Sequence, residues 1–304
     1  MRALIAVEFR RLLGRRLLHG LTMLVTAALL FAGVAGFIAS DDSRQAIAAA
    51  DAARAAEMTR CVTDIDHASA ARIGEYPPEA TADPKGFCEE NVWVSDPRFA
   101  YTDLRWMLGT FAVPVIMLAW LIGASFMGAE WASRGITTLL TWEPRRMRVM
   151  TAKIVAVSGV AFAWALLVQL SIAGALYPAA EFEGSMVGVD GAWLSGMARF
   201  LLRSSVAASG AAVIGVALAA IGRNTAAAFG AGVVYLTAIE GAIRALKPGW
   251  ANWLVGDNLA LILFGSAEGP QLTHSQAISG LLLLGYAAAI AVLAFLIFRR
   301  REIA

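Results

Sequence analysis

The sequence predicts an all-α integral membrane protein with six transmembrane helices. Of its 304 residues, 59% are hydrophobic and 16% are charged, and the mean hydropathy is +0.65. Soluble globular domains have about 45–50% apolar and about 25% charged residues, so this composition indicates that lipid is the solvent. Separate apolar runs of about 20 residues are needed for bilayer spans and not for a soluble core. The net charge of +2 gives no indication of nucleic-acid binding.

Six apolar runs have the length of a membrane-spanning helix. The first run ends at residues 38–40, which resemble a signal-peptide cleavage site. The run is longer than the apolar core of about 7–15 residues in such a signal, so we predict a retained span. The spans are predicted at residues 17–39, 106–127, 152–177, 199–221, 226–245 and 278–298.

Three segments outside these spans have patterns of their own. Residues 1–16 carry apolar and arginine side chains at helical spacing, which predicts an amphipathic helix on the membrane surface. Residues 40–105 are polar, begin with an Ala-rich helix predicted at 43–59, and are too long for a simple connection, so they predict a small external subdomain. Residues 246–277 contain a short apolar run, 259–264, which is too short to cross and predicts a re-entrant or interfacial segment.

The basic residues are unevenly distributed along the chain. They concentrate in residues 1–16, in the polar segment 129–151, at Arg223 and in the tail that begins at Arg299. The positive-inside rule places such segments on the cytoplasmic side. We therefore predict that both termini are cytoplasmic and that residues 40–105 are external.

Both cysteines, Cys61 and Cys88, lie in the predicted external segment. Disulfides form in oxidising compartments, so a bond between these cysteines is the favoured interpretation. Two unpaired thiols, or a metal site that also uses His67, are the alternatives; of these the metal site is the less favoured.

Motifs that would indicate catalysis are missing from the sequence. It has no G-x-x-x-x-G-K-[ST] phosphate loop, no H-E-x-x-H metal motif and no G-x-S-x-G nucleophile motif. We therefore predict no catalytic residues, no metal site and no ATP-binding site of the phosphate-loop type on this chain.

The cytosolic segment 129–151 is the most informative part of the sequence. Gly135 permits a turn, Thr137 can cap a short helix, and Pro144 ends that helix. An apolar helix face beside charges in the cytosol needs a cover, which is either a partner protein or the lipid headgroups. The apolar face is predicted to consist of Leu139, Leu140 and Trp142.

This segment resembles a loop in type-2 permeases of ATP-binding-cassette (ABC) exporters. In that family an acidic residue is followed by Gly and Thr, a Leu-rich helix, Pro, Arg, and a Lys that opens the third span. The chain differs at Ile136, which separates the Gly from the Thr, and the N-terminal motif that begins Glu8-Phe9-Arg10 is also similar to the family's. The positions that carry the resemblance are Glu130, Gly135, Thr137, Leu139, Leu140, Pro144, Arg146 and Lys153.

The resemblance implies a permease domain at residues 17–304, a connecting helix at 1–16 and a coupling helix within 129–151. It implies two permease chains, identical or different, that assemble with two separate ATPase subunits in a bacterial plasma membrane. ATP and Mg²⁺ would bind to the partner ATPase, and no cofactor would bind to this chain. The implied substrate is a lipid, a drug or antibiotic, or a peptide-like molecule. The residues implied to contact the ATPase are Glu130, Gly135, Thr137, Leu139, Leu140, Trp142, Pro144, Arg146 and Arg148.

Polar residues inside spans are candidates for a substrate path. Gln169 lies in the third span, where one interhelical hydrogen bond is the favoured explanation. Glu240 lies four residues before Arg244 in the fifth span, so an ion pair along the helix would account for it. Arg199 and Arg203 begin the fourth span and are expected to extend their charged ends toward the membrane surface.

Two other functions remain open at this point. A permease-like subunit could transmit ATP-driven motion to an extracytoplasmic partner without moving a solute, and the long segment 40–105 would suit that role. An integral-membrane lipid-modifying enzyme would need clustered Asp, Glu or His at one membrane face, and the sequence does not indicate such a cluster.

Overall fold

The computed structural model describes residues 1–70, 76–268 and 272–300. The described residues are helical nearly throughout, with short 3₁₀ turns and one π-helical turn, Tyr235–Ile239, that interrupts the fifth span. The α-helices in chain order are α1 (Arg2–Leu13), α2 (Arg16–Ala39), α3 (Arg44–Ala70), α4 (Pro78–Ala82), α5 (Pro84–Asn91), α6 (Leu104–Ala132), α7 (Gly135–Trp142), α8 (Arg146–Glu183), α9 (Gly191–Gly222), α10 (Thr225–Val234), α11 (Glu240–Leu246), α12 (Val255–Glu268) and α13 (Gln276–Arg300).

Six of the helical stretches in the described ranges are long and apolar enough to cross a membrane, which confirms the predicted all-α membrane fold. The fifth of these combines α10, the π turn and α11. The candidate spans are Arg16–Ala39, Tyr101–Ala132, Arg146–Glu183, Gly191–Gly222, Thr225–Leu246 and Gln276–Arg300.

Several helices extend beyond the residues predicted for them. The third span was predicted to end at Tyr177, before Pro178, and α8 continues through Pro178 to Glu183. A proline inside a helix removes one hydrogen bond and bends the helix without having to end it. The second span also extends past its predicted end to Ala132, and the helix predicted at 43–59 continues to Ala70.

The segment before the last span is more regular than predicted. It contains a 3₁₀ turn, Pro248–Trp253, followed by α12, which is longer than the predicted apolar run. The helical geometry of α12 is interrupted at Gly265, where φ is 82°. Its re-entrant position in the bilayer stays a prediction.

The chain divides into two compact units. Unit 1 comprises Met1–Leu29, Leu104–Ala173 and Asp190–Ala304, and unit 2 comprises Leu30–Asp103 and Gly174–Val189. Unit 1 contains residues 129–151, the predicted coupling segment, and most of the candidate spans, and unit 2 contains the polar segment with the two cysteines.

In unit 1, α6 and α9 pack with their backbones close together. A Cβ atom on Gly123 would lie 2.0 Å from the carbonyl oxygen of Ala212, and one on Gly215 would lie 2.3 Å from that of Trp120. Only glycine fits at these contacts, as expected for helices that associate through small residues in lipid. The core of unit 1 therefore lies along this helix pair.

Unit 2 contains a small core of its own, in which Ile65, Ala80 and Cys88 are buried. Cys61 and Cys88 form a disulfide with a Cα–Cα distance of 6.0 Å, which confirms the favoured prediction. With both sulfur atoms bonded, thiolate ligands for the alternative metal site are absent. The end of α2 is joined to the end of α8 by Ser40, whose hydroxyl donates to the carbonyl oxygen of Glu183 and accepts from the amide of Phe99.

Candidate functional site

The segment between α6 and α8 forms a compact helical corner. After α6 ends, Arg134 adopts a left-handed conformation with φ of 56° and starts α7. The turn was predicted at Gly135 and the cap at Thr137, and both predictions were wrong by one or more residues. Thr137 lies inside α7, where its hydroxyl donates to the carbonyl oxygen of Arg134 at 2.5 Å. A left-handed arginine is uncommon for a residue with a side chain, and here it reverses the chain within two residues.

The predicted apolar face of α7 is divided between two sides of the helix. Ile136 and Leu139 are buried against the rest of unit 1, and Leu140 is half-buried. Trp142 has 85% of its surface exposed, and Thr138 and Thr141 are exposed beside it. Ile136 and Leu139, three residues apart, share the inner face, whereas Thr138 and Trp142, four residues apart, share the exposed outer face with Thr141.

A recess of about 690 Å³ lies beside α7, and we call it the α7 recess. Two of its residues, Arg11 and Arg15, come from the N-terminal part of the chain and make its wall basic. Trp142 lines it from the exposed end of α7. The residues lining it are Arg11, Arg15, Glu130, Gly135, Thr138, Leu139 and Trp142.

A buried group of three charges, the Lys153 cluster, lies under this corner. Lys153 is completely buried, and its ammonium nitrogen lies 2.9 Å from Oε2 of Glu8 and 2.7 Å from Oε1 of Glu130. The three residues come from α8, α1 and α6 respectively. Taking charges out of water is costly unless they are paired, so these helices are stable side by side only when all three side chains meet.

Arg15 adds a second cation to the Lys153 cluster. Its guanidinium donates to the carbonyl oxygens of Ser125 at 2.9 Å and Phe126 at 3.1 Å. Burial lowers the pKa of Arg15, and the nearby carboxylates of Glu130 and Glu8 oppose that effect. An arginine remains protonated at neutral pH in either case, so two cations balance two carboxylates.

Phe126 packs between the two cations. Arg15 and Lys153 each lie 4.8 Å from the centre of its ring, which is within the range of a cation–π contact. These contacts connect α1 to the end of α6 and the start of α8.

The remaining predicted coupling residues surround the corner. Pro144 is exposed between α7 and α8, and Arg146 begins α8. Arg148 lies 4.0 Å from Glu143, with about half of its side chain exposed. A surface pair of this kind contributes little to stability. Because Pro144 and Arg148 are exposed, a partner could contact them.

Gln169 lies in the interior of unit 1 and is 1% exposed. Its side-chain oxygen accepts from the hydroxyl of Ser204 at 2.5 Å, and its nitrogen donates to Ser205 at 3.2 Å and to the carbonyl oxygen of Ala165. These bonds use the amide to connect α8 to α9. A substrate could reach the side-chain amide of Gln169 only after these hydrogen bonds break.

Glu240 belongs to a second group of charges, the Arg244 cluster, which also contains Asp257. Arg244 lies 3.4 Å from Glu240, which is four residues earlier on the helix as predicted, and 2.6 Å from Asp257. The carboxylate of Glu240 also accepts from the amide of Gly256 at 3.0 and 3.1 Å. The cluster therefore holds the end of α11 against the start of α12.

Sequence reasoning missed three parts of this geometry. Glu8 was recognised only as part of an N-terminal motif, and Asp257 was not recognised as a partner of Arg244. Asp257 stands immediately before an apolar run, and a charged residue at that place was the available signal. The third omission is the role of Arg15, which no local pattern distinguishes from its neighbouring arginines.

The fold and these two clusters define a multi-pass helical membrane protein whose charged sites lie at the ends of its long helices. Comparisons with protein-family models, curated proteins and solved structures give no match for this chain.

Proposed function

We propose that this chain is the membrane-spanning permease subunit of an ABC exporter, driven by an ATPase on a separate chain. The observation that carries the proposal is the outer face of α7, where Trp142 is exposed beside the basic α7 recess. Under the proposal this face docks on the ATPase, and a second permease chain completes the transporter. The exported molecule is a lipid, a drug or antibiotic, or a peptide-like compound.

An exposed tryptophan at the end of a short helix suits a protein contact. Tryptophan and arginine are the residues that most often contribute large binding energies at interfaces. Trp142 provides a large apolar surface, and Arg11 and Arg15 border the recess into which a partner side chain can fit. The lipid headgroups are the other cover for this face, and the experiment below separates the two.

The Lys153 cluster suits a part that transmits force. The helix α7 is joined to α6 and α8 by turns of only a few residues. Lys153 connects α8 to Glu130 of α6 and to Glu8 of α1, so a load on α7 reaches three helices at once. Rigid-body movement of packed helices is an established way of switching a membrane cavity between its two sides.

The test is Trp142→Asp in the full chain, co-expressed with a candidate ABC ATPase, for which any ATPase gene adjacent to this one is the first choice. Because Trp142 is exposed, the substitution leaves the core unchanged. We expect at least about tenfold less ATPase to be retained on affinity purification, since buried aromatic contacts at interfaces contribute about 2 kcal/mol or more.

The matched control is Trp93→Asp, since Trp93 is 90% exposed and lies in unit 2. It should retain the ATPase. Equal retention by both variants would refute the docking face. Thr141→Cys should react with a membrane-impermeant thiol reagent only from the cytoplasm. Labelling from outside would refute both the orientation and the proposal.

A second candidate is a permease-like subunit that acts mechanically on an extracytoplasmic partner. Unit 2 supports it, because it has its own disulfide-linked core and a tryptophan, Trp93, that is almost fully exposed. In that case the ATPase would still bind at α7. Trp93→Asp would abolish the function of the chain, and efflux of small molecules from cells would not depend on the chain.

A further inference from the structure

Unit 1 contains an apolar cavity of about 460 Å³ between α6, α9, α12 and α13. Its volume lies within the range of about 300–1,000 Å³ that is usual for small-molecule sites. The lining is apolar along most of its length, with residues such as Val113, Val206, Leu263 and Leu284. A cavity of this kind favours a hydrocarbon chain over a polar molecule.

The polar groups of the cavity include one charge, which lies at one end. Arg203 follows Leu202, the first position that α9 contributes, and Gln276 is the first position that α13 contributes; their two side chains are hydrogen-bonded to each other. From Arg203 the lining of α9 continues to Ile214, a distance of about 16 Å along the helix. That length is about half of a hydrocarbon core roughly 30 Å thick, which is the depth of one leaflet.

No opposite charge contacts this end among the side chains that the structure describes. Arg203 donates from Nε to the carbonyl oxygen of Arg199, and a Cβ atom on Gly265 would lie 3.3 Å from Nε2 of Gln276 and 4.0 Å from Nη2 of Arg105, so two further arginines lie beside the Arg203–Gln276 pair. Among the described side chains, which do not include that of Glu268, none of these three arginines, which we call the arginine group, has a carboxylate within 4.0 Å. The Lys153 and Arg244 clusters of unit 1 both pair opposite charges within the chain, and the arginine group differs from them in that its charges can pair with an external anion.

We infer that the cavity binds one anionic amphiphile, with its acyl chain along α9 and its acidic headgroup on the arginine group. An anion alone would leave the apolar part uncovered, and a neutral chain would leave the arginines unmatched. A phospholipid with a net negative headgroup has both features. This site is independent of the ATPase, so its test does not depend on the proposed docking at α7.

The site can be blocked without disturbing the fold. Gly280 lines the cavity, and a Cβ atom placed on it would meet nothing within 4 Å. Gly280→Leu therefore fills the cavity, and leucine is also a better helix former than glycine. Gly285 is the matched control, because it lies on the same helix, also has open space around it, and does not line the cavity.

The experiment uses the purified full chain in phosphatidylcholine nanodiscs. The probes are phosphatidylglycerol and phosphatidylcholine, each with a photoactivatable group in the acyl chain, and crosslinked peptides are mapped by mass spectrometry. We expect phosphatidylglycerol to label α9 and α13 at the cavity, Gly280→Leu to abolish this labelling, and Gly285→Leu to preserve it. Arg203→Gln should reduce the labelling about tenfold, because it removes a charge-assisted contact, whereas Arg300→Gln should leave it unchanged.

Four results would overturn the inference. Equal labelling by phosphatidylcholine would show that the headgroup charge does not matter. Persistent labelling in Gly280→Leu would show that the lipid binds outside the cavity. Displacement by millimolar inorganic phosphate would identify a site for anions alone. A change in oligomeric state with Gly280→Leu, without an effect on labelling, would show that a second copy of the chain covers the cavity.

Discussion

Unit 1 holds two clusters of opposite charges that differ in burial. In the Lys153 cluster the ammonium group is completely buried between Glu8 and Glu130. In the Arg244 cluster, 45% of the arginine side chain is exposed, although Glu240 behind it is buried. The same kinds of groups therefore meet in different dielectric surroundings.

The difference in burial predicts that the Lys153 cluster is a rigid joint between its helices and that the Arg244 cluster is an adjustable one. Coulombic attraction and the cost of breaking it both increase as water is excluded. The Lys153 cluster cannot lose a partner without leaving a buried charge, so α1, α6 and α8 must move together. Water can replace part of the Arg244 cluster, so α11 and α12 can separate at a smaller cost.

The largest expected effect in this comparison is that of Lys153→Met. The variant removes the ammonium group that contacts both Glu8 and Glu130, which leaves more buried carboxylate charge than Arg15 balances, and breaking a buried pair costs about 3–5 kcal/mol. We expect the apparent free energy of unfolding in detergent to fall by this amount. Lys247→Met, at an exposed lysine near the Arg244 cluster, should leave it nearly unchanged.

A double variant extends this test. Replacing Lys153 by Met together with Glu8→Gln removes one cation and one carboxylate and leaves Glu130 to balance Arg15, and removal of both partners of a buried ion pair is often neutral. Most of the lost stability should return. If Lys153→Met were as stable as the original chain, the rigid joint would be disproved.

The next largest effect is expected from removal of the disulfide in unit 2. Replacing both Cys61 and Cys88 by Ser opens a loop with a sequence separation of 27 residues, for which chain entropy predicts a loss of about 3–4 kcal/mol. Limited proteolysis within residues 41–103 should become at least about a hundredfold faster. Cleavage at the turn that contains Arg223 serves as the control and should not change, and equal acceleration there would show that the disulfide stabilises more than unit 2.

The smallest effect is expected in the Arg244 cluster. Glu240→Gln removes the charge of this buried carboxylate and keeps one oxygen as an acceptor for the amide of Gly256, while Arg244 keeps Asp257 as a partner. An ion pair with a half-exposed arginine contributes about 1 kcal/mol or less, and salt screens it. Thermal unfolding at low and high ionic strength should show a small loss that disappears in high salt. A loss as large as that of Lys153→Met would show that burial does not distinguish the two clusters.

The spans could be predicted from the sequence because hydropathy acts locally. A run of apolar residues long enough to cross a bilayer has few alternative structures, and all six such runs are helices here. The disulfide could be predicted because the chain has only two cysteines, both in one polar segment. The pair between Glu240 and Arg244 followed from helical spacing alone.

Helix boundaries and helix faces could be predicted only in part. Pro178 shows why, since α8 accommodates a proline that local rules treat as a stop. In α7 the sequence indicated apolar residues, but only packing decided that Leu139 lies inside and Trp142 outside. Local periodicity indicates that a helix has an apolar face and does not indicate which neighbour covers it.

What the sequence determined by itself is the membrane environment, the helical fold and the covalent link, because each follows from composition or from neighbours along the chain. Only the tertiary structure decided that Lys153 contacts Glu8, 145 residues away, and that Arg203 lies at one end of an apolar cavity, where it is hydrogen-bonded to Gln276. Such long-range contacts depend on how α6, α8 and α9 pack. Close backbone contacts at glycines such as Gly123 and Gly215 determine the packing of α6 against α9. The free energy of a buried charge is set by what surrounds it in space, which no single stretch of the sequence specifies.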